Sequence, residues 1–172
     1  SDPERWPRNW NRSYELPLGA PRASVLLLHG LSDSPYSLHS LALRLNENDL
    51  HVLGLRAPGH GTAPSGLVNV TWQDMAAAVR LAMLHLAEQH GDRPIHIVGY
   101  SNGATLAVQY ALSTLDDPTL PPVDSLVLLS PGIGITPVAA LAIWQARLGR
   151  LLGLEKLAWN SILPEYDPYK YG

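Results

Sequence analysis

A doubly wound α/β sheet is the fold class that this sequence predicts, and three observations carry the prediction. Four short apolar runs, SVLLLH (24–29), HVLGL (51–55), IHIVG (95–99) and SLVLLS (125–130), read as strands buried on both faces. Segments with helical periodicity separate them. Strand and helix alternating in this way favour parallel pairing through right-handed crossovers.

Composition supports a packed domain. The chain has 172 residues, 46% hydrophobic and 16% charged, enough apolar material for a real core. A net charge of −3 with no basic stripe gives no basis for a nucleic-acid partner. The absence of cysteine excludes disulfides and thiolate zinc sites. The opening SDPERWPRNWNRSYELP is polar and proline-broken, without the apolar run of a signal peptide. It begins with Ser1 rather than Met, so the chain is expected to start inside a longer gene product.

Taken in order, the strand at 24–29 runs into a loop, and SLHSLALRLNEN (37–48) follows as a helix with Leu38, Leu41 and Leu45 at helical spacing. After the strand at 51–55 comes LRAPGHGTAPSG, rich in turn residues. The next helix, 71–91, opens on a Thr71-x-x-Asp74 capping box and stops at Gly91. Met75, Val79, Ala82 and Leu86 form its buried face, and Trp72, like Trp144, reads as a core anchor. His85 and His90, five apart on this helix, lie about 140° around it and present no common metal face. The strand at 95–99 leads into a third helix, about 102–114. The run 125–130 is apolar throughout, as expected of a strand covered on both faces and paired on both edges. PGIGITP (131–137) is a turn after it, not a dinucleotide fingerprint. The composition shifts after Gly134, which divides a core, 1–134, from a segment, 135–172, read as a packed surface helix or a cap over a pocket.

Chemistry enters at IHIVGYSNGATLA (95–107). Gly99, Ser101 and Gly103 fit G-x-S-x-G, placed between a strand and a helix as a nucleophile elbow requires. The glycines let strand and helix approach closely around a strained serine, leaving the Ser101 hydroxyl free above the sheet. Acyl transfer also needs donors for the developing oxyanion. The Asn102 N–H, at the helix start, supplies one. The Leu31 N–H supplies the other if LLLHGLSDSPYS (26–37) lies beside the elbow, where the strand order reverses. His29 and His60 are expected to brace loops rather than take protons.

HGLSDSPYS, LRAPGHGTAPSG and GYSNG together resemble the α/β-hydrolases, in that family's order and at its separations. The middle motif is similar to the PGHG-type turn of carboxylesterases and monoacylglycerol lipases, and VTWQDMAAAV to the helix after it. The resemblance covers about residues 24–134 and implies the amino-terminal part of that fold with the start of a helical cap. It implies Ser101 as nucleophile, Leu31 and Asn102 as backbone oxyanion donors, and a sheet in which 51–55 and 95–99 flank 24–29. It further implies hydrolysis of a small-molecule ester with an apolar acyl group, with no metal or other cofactor. Nothing in the sequence supports a membrane or lipid-surface contact. Thioesterases, aminopeptidases, acyltransferases and perhydrolases use the same nucleophile, and a non-catalytic binding domain is the alternative of a different class. The family's acid and histidine follow the serine in chain order. All seven histidines here precede Ser101, so both groups are expected beyond residue 172.

Overall fold

The structure is a computed structural model that describes residues 9–61 and 64–134. The chain divides into two units, Ser1–Gly132 and Ile133–Gly172. The sheet lies in the first; the expected cap segment, 135–172 with Trp144, lies outside the described residues.

Five strands form one sheet: β1 (Tyr14–Leu16), β2 (Ala23–Leu28), β3 (Leu50–Leu55), β4 (Ile95–Tyr100) and β5 (Ser125–Leu129). Their order is β1-β3-β2-β4-β5. Strands β3, β2, β4 and β5 are mutually parallel, and β3 and β4 flank β2 as the resemblance implies. The chain goes from β2 to β3 on one side and then crosses to β4 on the other. The reversal point therefore falls between the carboxyl ends of β2 and β4, where doubly wound sheets hold ligands.

The helices are α1 (His39–Asn46), α2 (Trp72–His90) and α3 (Asn102–Asp116). Alternation along the central strands divides the core into two layers. Leu26, Leu28, Ile95 and Ile97 point to one face, where Met75, Val79, Ala82, Met83 and Leu86 of α2 meet Leu106, Ala107 and Tyr110 of α3. Val25, Leu27, Val52 and Val98 point to the other, packed on Leu38 and on Ala42 of α1. The α2 stripe is thus the expected one, with Met83 added. Its capping box is complete: the Asp74 N–H donates to the Thr71 hydroxyl, and the Asp74 carboxylate accepts from the Thr71 N–H. The hydrogen bonds from the Thr71 N–H and hydroxyl hold the Asp74 pKa below its ordinary value.

Several expectations are corrected. Residues 35–38 form a 3₁₀ turn ahead of α1; Leu38 and Leu45 pack on the core with Ala42, while Leu41 is exposed. Trp72, read as a core anchor, is 59% exposed, because it is the first residue of α2 and the buried stripe begins three residues later at Met75. Strand β1 has no counterpart in the sequence reading. It pairs antiparallel with β3 at the sheet edge, and its Tyr14 ring takes the space that a Cβ at Gly54 would fill. At the other edge, among the described residues, β5 pairs with β4 alone, and Val127, Leu128 and Leu129 are exposed. The two-sided cover expected for 125–130 is therefore not found within the described residues.

Candidate active site

The turn from β4 to α3 is held by contacts of backbone on backbone. A Cβ at Gly99 would lie 2.5 Å from the Ala104 Cα, and one at Gly103 would lie 2.2 Å from the Leu28 carbonyl oxygen. Neither contact is tolerable, so both positions need glycine. The first turn of α3 thereby descends onto β4 and the end of β2. Ser101, between them, has φ 51° and ψ −114°, a left-handed conformation that costs a non-glycine residue of order 1–3 kcal/mol. The strain is held in place from both sides. The Ser101 N–H donates to the Leu129 carbonyl at 2.9 Å, and the Ser101 carbonyl accepts from the Ala104 and Thr105 N–H groups at 3.0 and 3.2 Å. Gly132, just past β5, adds a longer bond to the same carbonyl. The support from β5 was not read in the sequence; its only trace there is the turn pair Pro131-Gly132 straight after a strand.

The loop after β2 runs directly beside this turn. A Cβ at Gly30 would lie 3.1 Å from the Tyr100 ring and 3.5 Å from the Ser101 Cβ. Neither the Leu31 N–H nor the Asn102 N–H has an acceptor among the described residues. Asn102 is the first residue of α3, so its N–H is one of the unpaired donors at the positive end of the helix dipole. Its side chain turns away, toward the Met75 sulfur.

His29, at the base of the loop, is 3% exposed. Its Nε2 accepts from the Ala57 N–H at 3.1 Å, which leaves Nδ1 to donate to the Gly30 carbonyl at 2.8 Å. Both nitrogens are used and the ring is neutral, so His29 braces the loop, as the sequence reading expects. Burial lowers its pKa, and the neighbouring His60 adds to this, against the opposing pull of the Gly30 bond and Asp33. A histidine with a lowered folded pKa adds stability that is present above its unfolded value, about 6.5, and is lost as pH falls through the folded value. Thermal unfolding between pH 7 and pH 5 checks this. The wild type should lose more stability over that interval than His29→Asn, and equal losses would refute it.

His60, 4% exposed, sits between two carbonyls, with Nδ1 2.9 Å from the Pro58 oxygen and Nε2 2.7 Å from the Leu31 oxygen. The other histidines do different work. His51 and His85 both contact the Glu15 carboxylate, at 2.7 and 3.1 Å, tying β1 to β3 and α2. Burial opposes ionisation of Glu15, but these two partners outweigh it and lower its pKa. His90 packs edge-on against His51, and His96 contacts the Ser125 hydroxyl near the start of β4. Asp124 is also at that end, accepting from the Ile95 N–H, a full strand length from Ser101. No group of three or more metal-ligating side chains converges among the described residues.

The arrangement matches a known family over most of the chain: the model described as serine aminopeptidase, S33, aligns with residues 19–165. The chain is an α/β-hydrolase of that family. It is 32% identical over 116 residues to the lipase LipV of Mycobacterium tuberculosis, which covers 66% of this chain and 39% of that protein. Among solved structures, one from a study of the metagenome-derived lipolytic enzymes LipS and LipT superimposes with a TM-score of 0.67 at 24% identity, over 77% of this chain and 51% of that one. The monoacylglycerol lipase of Paleococcus ferrophilus gives 0.61 at 22% identity, over 83% and 52%. These likenesses bear out the α/β-hydrolase fold expected from the motifs. This α/β-hydrolase chain spans between two fifths and about half the length of those relatives.

Proposed function

We propose that this chain carries the nucleophile half of a serine hydrolase that cleaves carboxylic esters with an apolar acyl group. In this reading Ser101 Oγ attacks the ester carbonyl, the alcohol leaves, and water releases the acyl group from the serine. The Leu31 and Asn102 N–H groups stabilise the oxyanion formed in each step. The carrying observation is the left-handed Ser101 held between Gly99 and Gly103 at a strand-to-helix turn. Strain of this kind needs a reason to persist, and a nucleophile lifted clear of the sheet is one. The Leu31 and Asn102 donors, with no acceptor among the described residues and on segments next to it, add weight.

The proton acceptor is a separate matter. Of the seven histidines none follows Ser101, and His29 and His60 have both ring nitrogens against backbone groups. We therefore place the acid and base outside these 172 residues. In support of an ester substrate, the LipV relative is named as a lipase, and the two structures described above come from a study of lipolytic enzymes and from a monoacylglycerol lipase. Neither this reading nor the chemistry at Ser101 calls on a metal or an organic cofactor.

The test is a substrate series on the natural protein: p-nitrophenyl esters of increasing acyl length, against matched thioesters and aminoacyl amides. Esters should give the highest kcat/KM, rising with acyl length. A preference for thioesters or amides would keep the nucleophile and overturn the substrate class. No turnover of any, with no covalent labelling of Ser101, would favour a binding domain.

A further inference from the structure

The peptide units on either side of Leu31 are each fixed by a different buried histidine. On one side, the Gly30 carbonyl accepts from His29 Nδ1 and, at 3.3 Å, from the Asp33 N–H. A trans peptide is planar, so holding that carbonyl also aims the Leu31 N–H, which shares its plane. On the other side, the Leu31 carbonyl is 2.7 Å from His60 Nε2. His60 belongs to a different loop, the one after β3, and its second nitrogen faces the Pro58 carbonyl of that loop. The two rings meet edge to face with centroids 5.0 Å apart.

We propose that His60 is a positioning residue of the oxyanion loop: in the tautomer that carries its proton on Nε2, it donates to the Leu31 carbonyl and pins the Leu31 end of the peptide unit that carries the Leu31 N–H. This rests on the reading of Ser101 as nucleophile and Leu31 as donor. Held at the Gly30 carbonyl alone, that peptide unit can still pivot about its hydrogen bond, and the bond from His60 to the Leu31 carbonyl fixes its Leu31 end. Among the described residues no other hydrogen bond holds Leu31, and its side chain is 54% exposed. The loop after β3 supplies the His60 bond, because Gly59 and Gly61 both have positive φ and together turn the chain so that the ring enters between the loops. A Cβ at either glycine would meet backbone, at Gly66 and at Asn11 respectively, so the turn that presents His60 is itself tightly specified.

An oxyanion donor that is displaced costs less than one removed, so the expected loss is about 10–100-fold in kcat. The variants are His60→Phe, which fills the space without a donor, and His60→Gln, which keeps one, made in the natural protein. Active sites are counted by fluorophosphonate titration, so that misfolded molecules drop out. Per active site, His60→Phe should lose kcat with KM nearly unchanged, and His60→Gln should recover part of the loss. Affinity for a trifluoromethyl ketone, whose serine adduct carries the oxyanion, should fall in step with kcat/KM. A kcat per active site equal to wild type in His60→Phe, whatever its melting temperature, overturns the role of His60 while leaving Ser101 in place. Turnover retained by Ser101→Ala overturns the nucleophile reading and this inference with it.

Discussion

Replacing Ser101 by alanine is expected to abolish fluorophosphonate labelling of the natural protein and to lower kcat by about 10⁶-fold, the scale for loss of a triad nucleophile. The fold should survive. Ser101 is half-buried, its hydroxyl has no protein partner among the described residues, and the bonds that hold the turn run through its backbone N–H and carbonyl. Alanine keeps both. The left-handed strain is common to serine and alanine, so the variant should melt within a few degrees of the wild type. This makes the experiment discriminating: activity is lost without loss of structure. Labelling of the variant at the wild-type level would transfer the nucleophile role to another residue. A variant that is inactive because it is unfolded would contradict the account of what holds the turn.

Much of this was legible in the sequence because the signals are local and redundant. The central strands are apolar runs, the α2 boundaries are written in Thr71, Asp74 and Gly91, and the elbow motif lies between a strand and a helix that each identify themselves. What escaped has a physical reason in each case. Strand β1 is three residues long and half-buried, too short for any period. It pairs with β3, and its Glu15 contacts His51 from β3 and His85 from α2, partners 36 and 70 residues away. On α1 the leucine spacing fits two faces: Leu38 and Leu45 share the core side with Ala42, and the small Ala42 carries no signal that would rank it above Leu41. Likewise, the motifs name His29 and His60, but not that they close on the same residue from two loops.

The second large effect is at Gly103, and here two principles oppose each other. Gly103 is the second residue of α3, and alanine exceeds glycine in helix propensity by about 1 kcal/mol, so propensity alone would make Gly103→Ala stabilising. The packing says the reverse. The added methyl carbon would lie 2.2 Å from the Leu28 carbonyl oxygen, 2.6 Å from the Leu28 carbonyl carbon and 2.7 Å from the His29 oxygen. All three are backbone atoms of the central strand or the residue after it, so no side chain can swing aside. Relief requires α3 to lift off the sheet, and overpacking of this kind typically costs 1–3 kcal/mol and occasionally more. We expect the upper end of that range, because β2 is paired on both edges and cannot give. The same lift would carry Asn102 and its N–H away from Leu31, so activity should fall further than the fraction of unfolded protein explains. Urea unfolding at fixed pH, with active-site titration of the folded fraction, separates the two effects. A Gly103→Ala protein as stable as the wild type would mean that helix and strand are not in the contact described, and would undo the argument that G-x-S-x-G is here a packing requirement.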